Sequence, residues 1–331
     1  MDQIKITHLF SGGIITNYYC TSQCGHCLYG CSPKWEKKYL EQALASKIFT
    51  KIKQLGCSSI HVGGGEPFLN IPDLKSVLSK AKQLNVKIEY IETNSSWFID
   101  QKNAREILSS LKKLGTSTLL ISMSPFHNEY IPFKKVKNVI RACQAEGISI
   151  IPWIEDFYAE INSFDDNQIH GIEAYQKKFG KNYLSHIPSR YWIHFGGRAL
   201  ETFRTVFPPK ALKEILQEGK GCRELIDTTH FHIDLFGNYI PGLCTGLAIQ
   251  YQDLVKPLDL DKYFFLNILF HKGILGLHNY ARDEHGFIPR QDYLSKCDLC
   301  LDIRIFLVRQ RKLKSVELQP LEFYTRVNLN K

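Results

Sequence analysis

Between residues 14 and 195 the chain alternates short β-prone runs with amphipathic helical segments, and this alternation constrains the fold more than any other feature. Residues 14–19 read as a first strand that runs into a cysteine-bearing loop. Leu40, Leu44, Ile48, Phe49, Ile52 and Leu55 recur at helical spacing before Gly56, which predicts a helix over 40–55 that stops there. The pattern then repeats as strand 60–62, helix 74–84, strand 87–92, helix 104–114, strand 118–122, helix 136–146, strand 149–153, helix 169–179 and strand 191–195. Six βα-type units call for a parallel sheet with right-handed crossovers.

Cys20, Cys24 and Cys27 lie in the loop after the first strand. Thiolates at this spacing can take three corners of an iron–sulfur cube and leave the fourth iron without a protein ligand. The competing chemistry is a structural zinc site, with Cys31 as the fourth ligand. After the second strand come Gly63, Gly64, Gly65, Glu66 and Pro67. Glycines leaving a strand let the backbone approach a ligand, Glu66 adds an acceptor and Pro67 stiffens the exit.

The CxxxCxxC run followed by Gly64-Gly65-Glu66-Pro67 resembles the radical S-adenosylmethionine (radical SAM) superfamily. The resemblance implies a partial (β/α)6 TIM-like barrel, placed here at residues 1–200. It implies a [4Fe-4S] cluster on Cys20, Cys24 and Cys27, whose free iron is chelated by S-adenosylmethionine. One electron then cleaves S-adenosylmethionine to a 5'-deoxyadenosyl radical that abstracts hydrogen from a substrate. Gly64, Gly65, Glu66, Asn94 and Ser122 are the expected S-adenosylmethionine contacts, with Ser124 beside them. In a parallel barrel function collects at the C-terminal strand ends, which also selects His127 and Glu155 as candidate catalytic residues. Each has a plainer reading, His127 as a hydrogen-bonded structural histidine and Glu155 as a helix cap. Gly197-Arg198-Ala199 is similar to a run found in radical SAM enzymes that carry extra clusters.

From Gly219 onward the pattern changes. Two β-prone runs around Gly237-Asn238 read as a hairpin that delivers Cys244, and Cys297-Asp298-Leu299-Cys300 forms a CxxC further on. With Cys222 these make four thiolates, resembling the SPASM and twitch extensions that hold auxiliary iron–sulfur clusters. One second [4Fe-4S] cluster in a twitch-like domain over 201–331 is the expectation, and a zinc site is the alternative on ligand chemistry. Residues 258–293 look helical and are expected to cover it. A four-thiolate cluster has no open iron, so its work would be electron transfer. Of the remaining Cys31, Cys57 and Cys143, only Cys31 lies close enough to the first cysteine loop to serve as a hydrogen donor.

With hydrophobic residues at 44% and charged ones at 23%, the 331-residue chain reads as an ordinary globular protein with no disorder signal. Its longest apolar runs are too short to span a bilayer and no signal peptide is evident. A cytoplasmic protein without a membrane partner is therefore expected, its ten cysteines serving as metal ligands and free thiols. The charge of +9 is scattered, densest at 304–314, and no recognisable nucleic-acid module accompanies it. The substrate expected from the resemblance is a peptide that undergoes maturation, crosslinking, oxidation or epimerisation. A first strand near residue 14 leaves no room for a separate leader-binding domain, which keeps a small-molecule substrate as an alternative. The resemblance also implies a flavodoxin or ferredoxin as reductant. A reading of another class is a non-catalytic zinc or iron–sulfur scaffold.

Overall fold

The computed structural model describes residues 3–218 and 220–327; Gly219 and the outer ends of the two expected domains, 1–2 and 328–331, lie outside them. The chain is an α/β protein that divides into two compact units. One comprises Gly12–Gly25 and Cys31–Ile193, and the other the residues up to Ser11, His26–Gly30 and those from His194 on.

The first unit is built on five parallel strands, β1 (Ser11–Ile15), β2 (Ser59–Gly63), β3 (Lys87–Thr93), β4 (Thr118–Ser122) and β5 (Ser149–Trp153), in the order β5-β4-β3-β2-β1. The ends stay level, with Ile15 opposite Gly63, Thr93 opposite Ile121 and Ser122 opposite Trp153. The loops that leave the C-terminal ends therefore start from one rim. Helices α1 (Gln42–Gln54), α2 (Ile71–Gln83), α3 (Gln101–Lys112), α4 (Phe133–Glu146) and α5 (Ile172–Phe179) alternate with or follow these strands. α1 buries Ala45, Ile48, Phe49 and Ile52, and α2 buries Leu74, Val77, Leu78 and Ala81, each a single stripe at helical spacing. Side-chain caps fix two of the starts: Asn70 accepts from Asp73 N (3.1 Å) and Asp100 from Asn103 N (2.8 Å).

Two sequence expectations are corrected at the ends of this series. The first strand occupies Ser11–Ile15 and not 14–19, because Asn17 and Tyr19 accept from the backbone of the turn after β2 (Gly65 N to Asn17 O, 2.7 Å; Glu66 N to Tyr19 O, 3.1 Å). The sixth strand, expected at 191–195, does not form. Tyr191 and Ile193 are buried and Trp192 is exposed, which mimics a strand's alternation. Tyr191 N, however, closes the preceding helix on Ile187 O (3.1 Å), and His194 O accepts from Gly196 N (2.8 Å), so these groups are satisfied locally rather than by a ladder.

The second unit contains the expected hairpin, β6 (His230–Asp234) and β7 (Asn238–Ile240), extended by β8 (Ile249–Gln250), all antiparallel. Asp234 fastens the turn by accepting from Phe236 N and Asn238 N, both at 2.9 Å. Two long helices follow, α6 (Phe264–His285), which bends at Gly273, and α7 (Lys296–Arg309), capped by Ser295. The helical segment expected over 258–293 is thus shorter at both ends. No helix among the described residues is long and apolar enough to cross a membrane.

Candidate functional site: a thiol loop on the strand rim and a four-thiol set

Glu66 organises the rim of the first unit. It is fully buried, and its carboxylate accepts from Phe68 N (3.1 Å), from Thr93 Oγ1 (3.1 and 3.2 Å to its two oxygens) and from Asn94 N (2.6 Å). The loops after β2 and β3 are thereby clasped by one side chain. Burial pushes the Glu66 carboxyl up to about 7, against the opposing pull of the two backbone amides and Thr93. Asn94 continues the chain of bonds, its Nδ2 donating to Cys20 Sγ at 3.3 Å. Ser22 N also donates to that sulfur, at 3.4 Å.

The glycine turn is pressed against the segment that enters the cysteine loop. A Cβ on Gly65 would stand 2.1 Å from Tyr19 O, so no other residue fits without moving backbone. Asn17 completes the joint: its Oδ1 accepts from Gly65 N (3.2 Å) and its Nδ2 donates to Glu66 O (3.0 Å). Thr93 is held by Trp97, whose Nε1 donates to Thr93 Oγ1 (2.8 Å) and whose ring stacks on Phe68 at 4.6 Å. Sequence reasoning assigned no individual role to Asn17, Thr93 or Trp97. The available signal was positional, an Asn between the first strand and the thiols and a Thr closing the third strand.

Cys20 and Cys24 are buried within the first unit. Cys27 is counted with the second, where Arg198 N donates to Cys27 O at 3.1 Å. Gly197 there has φ +54, and its Cβ would lie 2.2 Å from Leu28 O, so the Gly-Arg-Ala run lies against the backbone of the third cysteine. Cys31 is buried, and its Sγ lies 3.8 Å from Gly64 O. Cys57 and Cys143 are buried away from this rim, with Cys57 Sγ donating to Ser59 O (3.0 Å) and Cys143 on α4.

Ser122 ends β4 half-buried, and Ser124 Oγ lies 2.7 Å from His127 Nδ1. Burial lowers His127 to about 4, so the imidazole is neutral at physiological pH. Glu155 is exposed at the head of a short turn, Glu155–Phe157, that leads into a helix at Tyr158–Asn162.

In the second unit Cys222, Cys244, Cys297 and Cys300 form a mutually interacting set. Burial, reinforced by the charges of neighbouring thiols in the set, pushes Cys222 up to about 12, Cys297 up to about 11 and Cys244 well above its usual range. The carriers are brought together by close backbone approaches. Cys222 N donates to Leu269 O on α6 at 2.8 Å. Gly242, with φ +54, sits where a Cβ would be 2.2 Å from Glu224 O, which brings the turn before Cys244 against the segment after Cys222. Cys297 and Cys300 lie one turn apart on α7, which also presents buried Arg304.

The first unit is thus a parallel α/β sheet whose strand-end loops join a thiol-bearing segment to a glycine–glutamate turn. Residues 14–159 match the model of the Radical SAM superfamily. No curated protein matches the chain. Among solved structures it is similar to BtrN in complex with AdoMet and 2-DOIA, at 14% identity over 81% of this chain and 90% of that one, with a TM-score of 0.45. Native anSMEcpe with bound AdoMet matches at 14% identity over 91% and 97%, with a TM-score of 0.44. Methylornithine synthase (PylB) matches at 16% identity over 44% of each chain, with a TM-score of 0.34, so this chain spans less than half of that protein's length.

Proposed function

We propose that the chain is a radical SAM enzyme in which Cys20, Cys24 and Cys27 hold a [4Fe-4S] cluster and Gly64, Gly65, Glu66, Asn94 and Ser122 contribute to binding S-adenosylmethionine. The bound pair supplies a 5'-deoxyadenosyl radical that takes a hydrogen atom from the substrate, the initiating electron coming from a flavodoxin or ferredoxin. The observation that carries this reading is the continuous run of bonds from Glu66 through Asn94 to the Cys20 sulfur. It joins the two halves of the motif in one fixed unit. Asn94 orients the sulfur, Glu66 orients Asn94, and Gly65 keeps the turn close to the thiol loop.

Cys222, Cys244, Cys297 and Cys300 are proposed to hold a second [4Fe-4S] cluster in a SPASM/twitch-like domain, with the domain boundary near residue 200. The donor chemistry supports it: four interacting thiols beside a buried cation. A peptide is the proposed substrate, modified as an oxidoreductase or epimerase would, with Cys31 as hydrogen donor in the latter case. Support comes from β5, which ends the sheet and exposes Ile151 and Trp153 to 40% and 38%. An extended peptide can add to such an edge as a strand.

Anaerobic reconstitution tests the reading. Wild type is expected to hold about eight irons and the Cys20, Cys24, Cys27 triple alanine variant about four, with an EPR signal that responds to S-adenosylmethionine only in the wild type. No response in a cluster-loaded wild type would sink the radical SAM reading, and zinc in place of iron would favour a scaffold. Protection of β5 amides from hydrogen exchange by extended peptides distinguishes a peptide from a small-molecule substrate.

A further inference from the structure

Arg304 is 4% exposed and lies on the helix that carries two of the four thiols. Cys297, Cys300 and Arg304 are spaced by three and then four residues, which puts them on one helix face. Arg304 also reaches the segment that carries a third thiol. Its Nη1 donates to Thr245 O (2.9 Å), next to Cys244, and to Tyr324 Oη (3.0 Å), whose own hydroxyl donates to Gly246 O. The guanidinium therefore ties the Cys244 loop to α7. A Cβ on Gly246 would stand 2.9 Å from Arg304 Nη1, so the loop keeps a glycine where the guanidinium passes.

Two features of this arginine exceed what a brace requires. A guanidinium is always charged, and burying a cation without a matching anion is costly. Among the described residues no carboxylate pairs with Arg304, and the groups whose charge acts on it are Tyr324, Cys300 and Cys244. Its Nε is buried and has no hydrogen-bond partner. An unused donor and an unanswered charge, both beside a thiol set, point to an anionic group bound there.

We propose that Arg304 is the buried counter-cation of the group held by Cys222, Cys244, Cys297 and Cys300, with its Nε–H donating to a sulfur and its charge setting the potential at which the second [4Fe-4S] cluster is reduced. The proposal rests on the second-cluster reading above. Four thiolates give such a cluster net negative charge, and each added electron increases it, so a fixed cation nearby favours reduction. Arg304 acts here as a positioning and electrostatic residue.

The test is a redox titration, followed by EPR, of the full chain reconstituted anaerobically with iron and sulfide, as wild type, Arg304→Leu and Arg304→Lys. Arg304→Leu is expected to lower the second cluster's midpoint by at least a tenfold change in its equilibrium constant, 59 mV for a one-electron couple. Arg304→Lys keeps the charge and is expected to stay near wild type, and the Cys20, Cys24, Cys27 cluster serves as an unchanged internal reference. An unshifted midpoint in Arg304→Leu overturns the proposal. If that variant does not hold the second cluster, Arg304→Lys decides: a loaded cluster at the wild-type midpoint supports the proposal, whereas a shifted midpoint or a lost cluster reduces Arg304 to a brace. A wild type with only about four irons, none of them left in the triple alanine variant, fails the second-cluster reading itself and takes the proposal with it.

Discussion

At Glu66 burial and hydrogen bonding pull in opposite directions, and burial wins. A carboxyl held near 7 in the fold and near 4.5 when unfolded means the native state binds the extra proton. The associated stability is complete below the unfolded value and is lost as pH rises through about 7. With 1.36 kcal/mol per pKa unit the loss is about 3 kcal/mol. Denaturant melts of the metal-free protein should therefore show stability falling between about pH 5 and pH 8, and Glu66→Gln should flatten that slope. A variant with the same slope as wild type would place the titration elsewhere. Asn94→Ala removes the donor to Cys20 Sγ while leaving the backbone N–H that Glu66 holds. Redox titration of the cluster proposed on Cys20, Cys24 and Cys27 should give a midpoint lowered by the equivalent of about 1 kcal/mol, the usual net worth of one hydrogen bond, with iron content retained.

Elements are held here by close backbone contact as much as by side-chain packing. Gly242→Ala puts a Cβ 2.2 Å from Glu224 O at a positive φ, so backbone must shift. A destabilisation of about 2 kcal/mol or more is expected, together with weaker iron loading at the four-thiol set, read by thermal melts and iron counts. Gly115, also at positive φ but with nothing within 4 Å of where a Cβ would stand, is the control: Gly115→Ala should cost less and leave iron loading unchanged. The same distinction explains what is legible in the sequence. Strands 118–122 and 149–153 can be read to the residue, because short apolar, β-branched runs bounded by turn residues specify a strand locally. The first strand is misplaced by sequence reasoning because Asn17 and Tyr19 commit their carbonyls to the turn after β2, a long-range partnership that periodicity cannot reveal. Residues 191–195 have a strand's alternation without a strand's hydrogen-bonding neighbours. At the site, the cysteines and the glycine–glutamate turn are visible because their spacing is local. The roles of Thr93 and Arg304 are not, since each acts through a partner distant in sequence, Glu66 for the one and Thr245 for the other.

On the scale of the whole molecule, the proposed second cluster would set metal against proton at the four-thiol set. Cys222, Cys244 and Cys297 all have folded values above the ordinary thiol value of 9.0, so the metal-free fold binds more protons than the unfolded chain. Its stability is held below about pH 9 and lost as pH climbs towards 11 and 12. Differential scanning calorimetry should show the metal-free chain losing melting temperature between about pH 9 and pH 11, and the loaded chain losing little, since ligated thiolates have no proton left to lose. Equal losses in both forms would mean that these thiols do not hold the metal. The placement of the thiols also sets an order of events. The first loop is complete once residue 27 has been made, whereas the second set waits for Cys297 and Cys300, about 270 residues later. At about 5–20 residues per second, roughly a quarter to a whole minute of synthesis separates them. If both sets take metal as proposed, a ribosome-bound chain arrested before Cys297 would present one metal-accepting place and not the other, so the two would arise at different times and could be filled by different deliveries.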